Sequence, residues 1–291
     1  MTFSIVARLD DGVPGIDGPA WGVAVASKFL AAGAVVPSAW AGTGAVASQA
    51  FANLRYHDQA RALLTDGLSA PEVVAALTAG DDLAAQRQVG VVDAEGGSAS
   101  FTGVECGDWA GGLTGEGYSI QGNMLTGADV VPAMEQAWLA HGDLPLSRRL
   151  AAALLAGDRA GGDRRGRQSA ALLVVAPGAG YGGGSDVAVD LRVDDHRDPV
   201  VELERLLGIH ELLFGRPETT WPLEGKIADR LRAALDALGY RQGDLEVALN
   251  AAAGVENLEE RIVPGAVDPV VLDYLEARAA GNDDDSDYMD R

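Results

Sequence analysis

The chain has 291 residues, 47% of them hydrophobic and 22% charged, with a formal net charge of −21. Such a chain is globular, with one large core or one core and a small appended domain. Its acidity argues against nucleic acid and anionic membrane as partners. With one cysteine, Cys106, and four scattered histidines, an intramolecular disulfide and a cysteine-based zinc site are excluded, and neither metal nor cofactor is expected.

The chain opens on Thr2-Phe3-Ser4-Ile5-Val6-Ala7-Arg8, where apolar Phe3, Ile5 and Ala7 alternate with Thr2, Ser4 and Arg8, Val6 being the exception. That period predicts a strand with one well-buried face. Thr2 follows Met1, and its side chain is small enough for ordinary methionine removal. The resulting α-amine, which titrates near about pH 8, would stand beside the Thr2 hydroxyl as base and nucleophile in one residue.

A polar turn over residues 10–19 leads to a second strand over 21–27, closing a hairpin. Short apolar runs follow at 34–37 and 44–48, set between glycines. Helical period begins near Tyr56, with Ala60, Leu63 and Leu64 on one face and Gly67 as C-cap. Ser69-Ala70-Pro71-Glu72 is a capping box with proline just inside the next helix, whose buried stripe is Val73, Val74 and Leu77. Strands are predicted at 88–93 and 98–102, then a loop around Cys106 and Trp109, then a strand at 118–121. After Gly122-Asn123-Met124 come helices over about 129–140 and 146–156. The polar segment 161–169 feeds a strand at 170–175, followed by a strand at 187–192 and an amphipathic helix at 199–214. Helices come in pairs between groups of strands, without βαβ alternation. The fold class is therefore α+β, with antiparallel sheets covered by helices.

Beyond Trp221 the patterns are purely helical. The expected organisation is a main domain over 1–215, a linker at 216–222 containing two prolines, and a helical domain over 223–281. The acidic end, 282–291, has no apolar face and reads as disordered. No charged n-region and apolar h-region open the sequence, and the apolar region 23–44 is broken by Lys28 and Pro37. The expectation is a cytoplasmic protein with no membrane partner.

With these stretches placed, the chain resembles the domain of unknown function 1028 family, assigned to the N-terminal nucleophile (Ntn) hydrolase superfamily. The carrying residues are Thr2-Phe3-Ser4-Ile5-Val6-Ala7, Gly22-Val23-Ala24-Val25-Ala26-Ser27-Lys28-Phe29, Gln121-Gly122-Asn123-Met124-Leu125, and the segment 161–171 with Gly161-Gly162-Asp163 at its head. They occur in the family's order and reach to about residue 215. The resemblance implies a four-layer αββα sandwich, two antiparallel sheets face to face with helices on both outer faces. Residues 222–280 are similar to a peptidoglycan-binding-like helical domain appended in some of these proteins. With no signal peptide evident, association into a homo-oligomer is an equally good use for it. Two departures stand out: the family often has arginine at the place of Lys28, and the 10–19 loop is longer than usual.

The resemblance implies that Thr2 attacks an amide or related carbonyl, which needs a base and donors for the oxyanion. Ser27 and Lys28 end the strand expected beside Thr2, and Lys28 could lower the amine's pKa by like-charge repulsion or be a surface lysine. Gln121 and Asn123 flank Gly122, where side-chain amides could donate to an oxyanion or serve the turn. Asp163, Arg164, Arg165, Arg167, Gln168 and Ser169 cluster guanidinium groups, suited to carboxylates or phosphates, in an acidic protein. The alternative is pairing with internal carboxylates. The candidate catalytic residues are Thr2, Lys28 and Asn123. Ser27, Gln121, Asp163, Arg167, Gln168 and Ser169 are candidates for substrate binding, with Arg167 expected to face the Thr2 cleft. Cys106 reads as a packed small residue. The expected function is an amidohydrolase acting on a small anionic substrate through a covalent ester. The alternative is a non-catalytic binding or assembly protein.

Overall fold

The computed structural model describes residues 2–281 of the chain. The first strands are β1 (Thr2–Leu9), β2 (Ala20–Ser27), β3 (Pro37–Trp40), β4 (Gly44–Ala50), β5 (Arg87–Asp93) and β6 (Ser98–Thr102). They are followed by β7 (Gly111–Gly115), β8 (Tyr118–Asn123), β9 (Ser169–Val175) and β10 (Val187–Val193). One antiparallel sheet has the order β10-β9-β2-β1-β8-β7, and a second the order β3-β4-β5-β6. β1 is thus central in the larger sheet, between β2 and β8.

Alternation along β1 divides its side chains between two environments, as the pleat requires. Phe3, Ile5 and Ala7 join Met134, Trp138, Leu150 and Leu154 in the core against α3 (Val130–Ala140) and α4 (Leu146–Arg159). Val6 packs with Val23, Val25, Ala45, Ala47 and Val92 in a cluster shared by strands of both sheets. Val46, Val89 and Val91 pack with α1 (Arg55–Thr65) and α2 (Ala70–Ala79). Consequently β1 is buried on both faces from Thr2 to Val6 and beyond, where the sequence pattern predicted one. The Thr2/Ser4 side of β1 is polar because it carries a hydrogen-bonded network, not because it meets water.

The capping box forms as the sequence predicts, with Ser69 N donating to Glu72 Oε2 at 2.9 Å. β7 was expected as loop: Gly-Gly-Leu-Thr-Gly has no buried alternation and is ordered by pairing with β8 at the sheet edge. α4 runs three residues past its expected end, bringing Asp158 into a buried position.

The chain divides into two compact units between Leu207 and Gly208, inside α5 (Pro199–Phe214) and upstream of the segment expected as a linker. The second unit has its own core of Leu231, Leu235, Leu249, Leu258, Leu272 and Leu275. These come largely from α6 (Gly225–Ala237), α7 (Leu245–Glu256) and α8 (Pro269–Ala279). A two-residue ladder, Trp221–Pro222 against Ala266–Val267, adds a β-pairing that helical patterning did not reveal. The tail read as disordered, 282–291, lies outside the described residues. Among the described residues no helix is long and apolar enough to cross a membrane, and no cluster of His, Cys, Asp or Glu could hold a metal.

Candidate active site

Three strand ends meet at Thr2. In register, Thr2 faces Asn123 of β8, while Ser27 of β2 faces Ser169 of β9. The Thr2 and Ser27 hydroxyl oxygens lie 3.0 Å apart and hydrogen-bond to each other. Both residues line a cleft of about 420 Å³ whose walls include Phe29, Val35, Val36, Phe51 and Leu54. Thr2 is only 6% exposed, so its side chain meets solvent through the cleft or hardly at all.

Beneath Thr2 runs a chain of buried hydroxyls and amides whose polarity is set link by link. Ser119 Oγ donates to Gln121 Oε1 at 2.8 Å, and Gln121 Nε2 to Ser4 Oγ at 2.7 Å. Ser4 donates to Gln49 Oε1 at 2.7 Å, and Gln49 Nε2 to Gln88 Oε1 at 2.8 Å. Gln88 Nε2 donates in turn to the Gly122 carbonyl at 2.8 Å and Thr102 Oγ1 at 2.9 Å. Gln88 Oε1 is therefore an acceptor, and it also receives Asn123 Nδ2 at 2.9 Å. That orients the Asn123 amide. Its Oδ1 is buried and has no hydrogen-bond partner among the described residues. A buried, unmatched acceptor is costly, of order 1–3 kcal/mol, and it sits on the residue opposite Thr2.

Asp163 organises the other side. Its side chain is 2% exposed and accepts the backbone amides of Lys28 at 2.7 Å and Arg165 at 2.8 Å. The Arg165 guanidinium reaches the same carboxylate at 3.3 and 3.5 Å and lines the cleft. Ser169 Oγ donates to the Phe29 carbonyl at 2.6 Å and accepts the Ala32 amide at 3.0 Å. Asp163 and Ser169 thus hold the loop after β2, and with it the cleft wall.

The sequence-derived candidates separate accordingly. Thr2, Ser27 and Asn123 come together, with Asp163 and Ser169 supporting them from behind. Lys28 contributes its backbone amide, while its side chain is exposed and does not line the cleft. Gln121 is fully buried in the amide network, with both ends of its amide engaged. Arg167, expected to face the cleft, instead donates to Asp158 Oδ1 at 2.7 Å and approaches Asp198 at 3.4 Å. These carboxylates hold its pKa above the ordinary arginine value, the hydrogen bond to Asp158 foremost. The extension of α4 that buries Asp158 is what draws it away. Gln168 is likewise turned outward, to Asp195.

Pattern reading missed Gln49, Gln88 and the aromatic wall. The available signal was a glutamine in each of two largely apolar strands, Gln49 in Gly44–Ala50 and Gln88 in Arg87–Asp93. Phe51 is held from below by Arg87, which donates to the Phe51 carbonyl and stacks 4.9 Å from its ring centroid. Arg87 is itself anchored on Asp81 at 2.9 Å. Cys106 is buried, its thiol donates to the Arg87 carbonyl at 3.1 Å, and burial pushes its pKa up, which suits a packed residue and not a nucleophile.

The family model described as "Family of unknown function (DUF1028)" matches residues 2–203. The model described as "Putative peptidoglycan binding domain" matches residues 212–275. Among solved structures, the chain is similar to the crystal structure of protein SPO2555 from Silicibacter pomeroyi, itself assigned to DUF1028. The two share 32% identity with a TM-score of 0.63, over 78% of this chain and 92% of that one. No curated protein matches the chain.

Proposed function

Starting from a chain that belongs to the DUF1028 family, we propose that it is an N-terminal nucleophile hydrolase that cleaves an amide bond through Thr2. The observation that carries this reading is the Thr2 hydroxyl, hydrogen-bonded to Ser27 at the end of a doubly buried central strand and opening on a cleft. The two antiparallel sheets, with an apolar cluster between them and helix pairs packed on each, support reading the fold as an αββα sandwich of that superfamily.

Removal of Met1 would leave the Thr2 α-amine as the base. Thr2 Oγ1 then attacks the substrate carbonyl carbon as the hydroxyl proton passes to the amine. The tetrahedral oxyanion collapses, the C–N bond breaks, and the ammonium protonates the departing nitrogen. Water, deprotonated by the same amine, hydrolyses the ester and returns the proton to Oγ1. Ser27 orients the nucleophile, and Asn123 Oδ1 is the acceptor available to hold an N–H of the amine. Asn123 Nδ2 gives one hydrogen to Gln88 and directs the other toward the Thr2 carbonyl at 3.5 Å, so the residue serves to orient the base and not to donate to the oxyanion.

The test combines intact mass with covalent trapping by a neutral β-lactone. The expected outcome is loss of Met1 and one label, on Thr2, absent from a folded Thr2→Ala protein. Retention of Met1 in most molecules, or full labelling of Thr2→Ala, overturns the reading and leaves the cleft a binding site alone.

A further inference from the structure

The cleft offers two chemistries on one wall. Three large apolar side chains surround it while remaining well exposed: Phe29 at 52%, Phe51 at 61% and Leu54 at 55%. These aromatics are not loosely hung. The Phe29 carbonyl is gripped by Ser169, and Phe51 rests on the Arg87 guanidinium while Arg87 also binds its carbonyl. Apolar surface presented on fixed backbone is suited to burying an apolar ligand group at little ordering cost. Arg165 is the one charged residue among the described residues that line the cleft.

Arg165 differs from its neighbour Arg167. The Arg167 guanidinium is turned to Asp158 at 2.7 Å, whereas the Arg165 guanidinium lies 3.3 and 3.5 Å from Asp163 and lines the cleft. Asp163 gives its close hydrogen bonds to the two backbone amides instead. A guanidinium in the lining of a cleft offers a carboxylate planar, bidentate hydrogen bonding.

We propose that the substrates are N-acyl amino acids: amides joining an apolar, aromatic or medium-chain acyl group to an amine that bears a carboxylate. The acyl group lies among Phe29, Phe51 and Leu54, the carboxylate on Arg165, and the amide between them at Thr2. The assignment of the scissile bond rests on Thr2 being the nucleophile, whereas the binding specificity does not. Water and the N-acyl amino acid give a carboxylic acid and an amino acid, with no other reactant.

Calorimetric titration of the full chain with N-phenylacetylglycine tests the inference, alongside its carboxamide and N-acetylglycine, each with the wild type and the Thr2→Ala, Arg165→Gln and Phe51→Ala proteins. The expected result is binding by wild type and Thr2→Ala alike. Arg165→Gln should weaken N-phenylacetylglycine by about 10- to 100-fold, the scale of a lost charge-assisted contact, and leave the carboxamide unaffected. Phe51→Ala should erode the preference for phenylacetyl over acetyl. Equal affinity for carboxylate and carboxamide, equal affinity for phenylacetyl and acetyl, or no binding overturns the proposal. β-Lactone labelling of Thr2 in the same preparation separates the two readings. Labelling without such binding removes the substrate class and keeps the nucleophile. Binding without labelling keeps the ligand class and removes the hydrolysis.

Discussion

A single glycine shows how tightly the polar layer under Thr2 is built. Gly90 of β5 lies against the Gln121 side-chain amide so closely that a Cβ there would collide with Gln121 Oε1. The Gln121 amide cannot simply swing aside, because Ser119 and Ser4 hold its two ends. Gly90→Ala should therefore destabilise the first unit by about 1–3 kcal/mol through overpacking. Urea unfolding with an unchanged m-value reads this as a lower midpoint, and an unshifted midpoint would mean that the network repacks. The same reasoning gives Thr2→Ala a small effect on stability, since it removes one hydroxyl pair and leaves the amide chain intact.

Among elements, the start of β5 and the segment after β4 form a unit that sets the cleft wall. Arg87 and Asp81 are about 8% and 10% exposed at their side chains and lie 2.9 Å apart. Asp81 also accepts from Asn53 at 2.9 Å and from Tyr56 at 3.0 Å. The Arg87 guanidinium, with help from Asn53, holds Asp81 well below the usual carboxylate range. Burial and the Asp81 hydrogen bond push the Tyr56 hydroxyl up to about 12. Asp81→Asn leaves Arg87 buried without its charge partner, and should cost on the order of 3 kcal/mol. A depressed carboxylate pKa stabilises the fold above the unfolded value, near about pH 4, and the contribution is lost as pH falls through the folded value. Wild type should therefore lose more stability than Asp81→Asn on acidification below about pH 4. Parallel acid titrations by circular dichroism would expose the idea as wrong if the two proteins lost stability equally.

On the scale of the whole molecule, the two units carry separate cores. Of the four buried residues of α5, Val200, Leu203 and Leu207 belong to the first core, whereas the partly buried Leu212 and Leu213 pack with the second. Within the second unit Arg261 binds the Glu211 and Leu212 carbonyls and Asp268. A chain ending at Phe214 keeps every buried residue of the first core. It should remain soluble, unfold in one cooperative transition and keep β-lactone labelling of Thr2. Aggregation or a non-cooperative melt would show that residues beyond 214 are needed for the first core to fold.

The sequence by itself determined the local matters: the two strands of the β1–β2 hairpin, the capping box at Ser69 and the extent of α5. Each depends on periodicity or turn chemistry within a few neighbours. Tertiary structure alone decided which arginine meets the cleft, because Asp158 and Asp198, far from Arg167 in sequence or on another element, capture it. It likewise decided that the polar face of β1 is interior. A period of two reports that the faces differ, and a polar face covered by Gln49, Gln88 and Gln121 reads the same as one covered by water. Hydrogen bonding across the sheets, as from Ser4 to Gln49 45 residues further along the chain, made the difference.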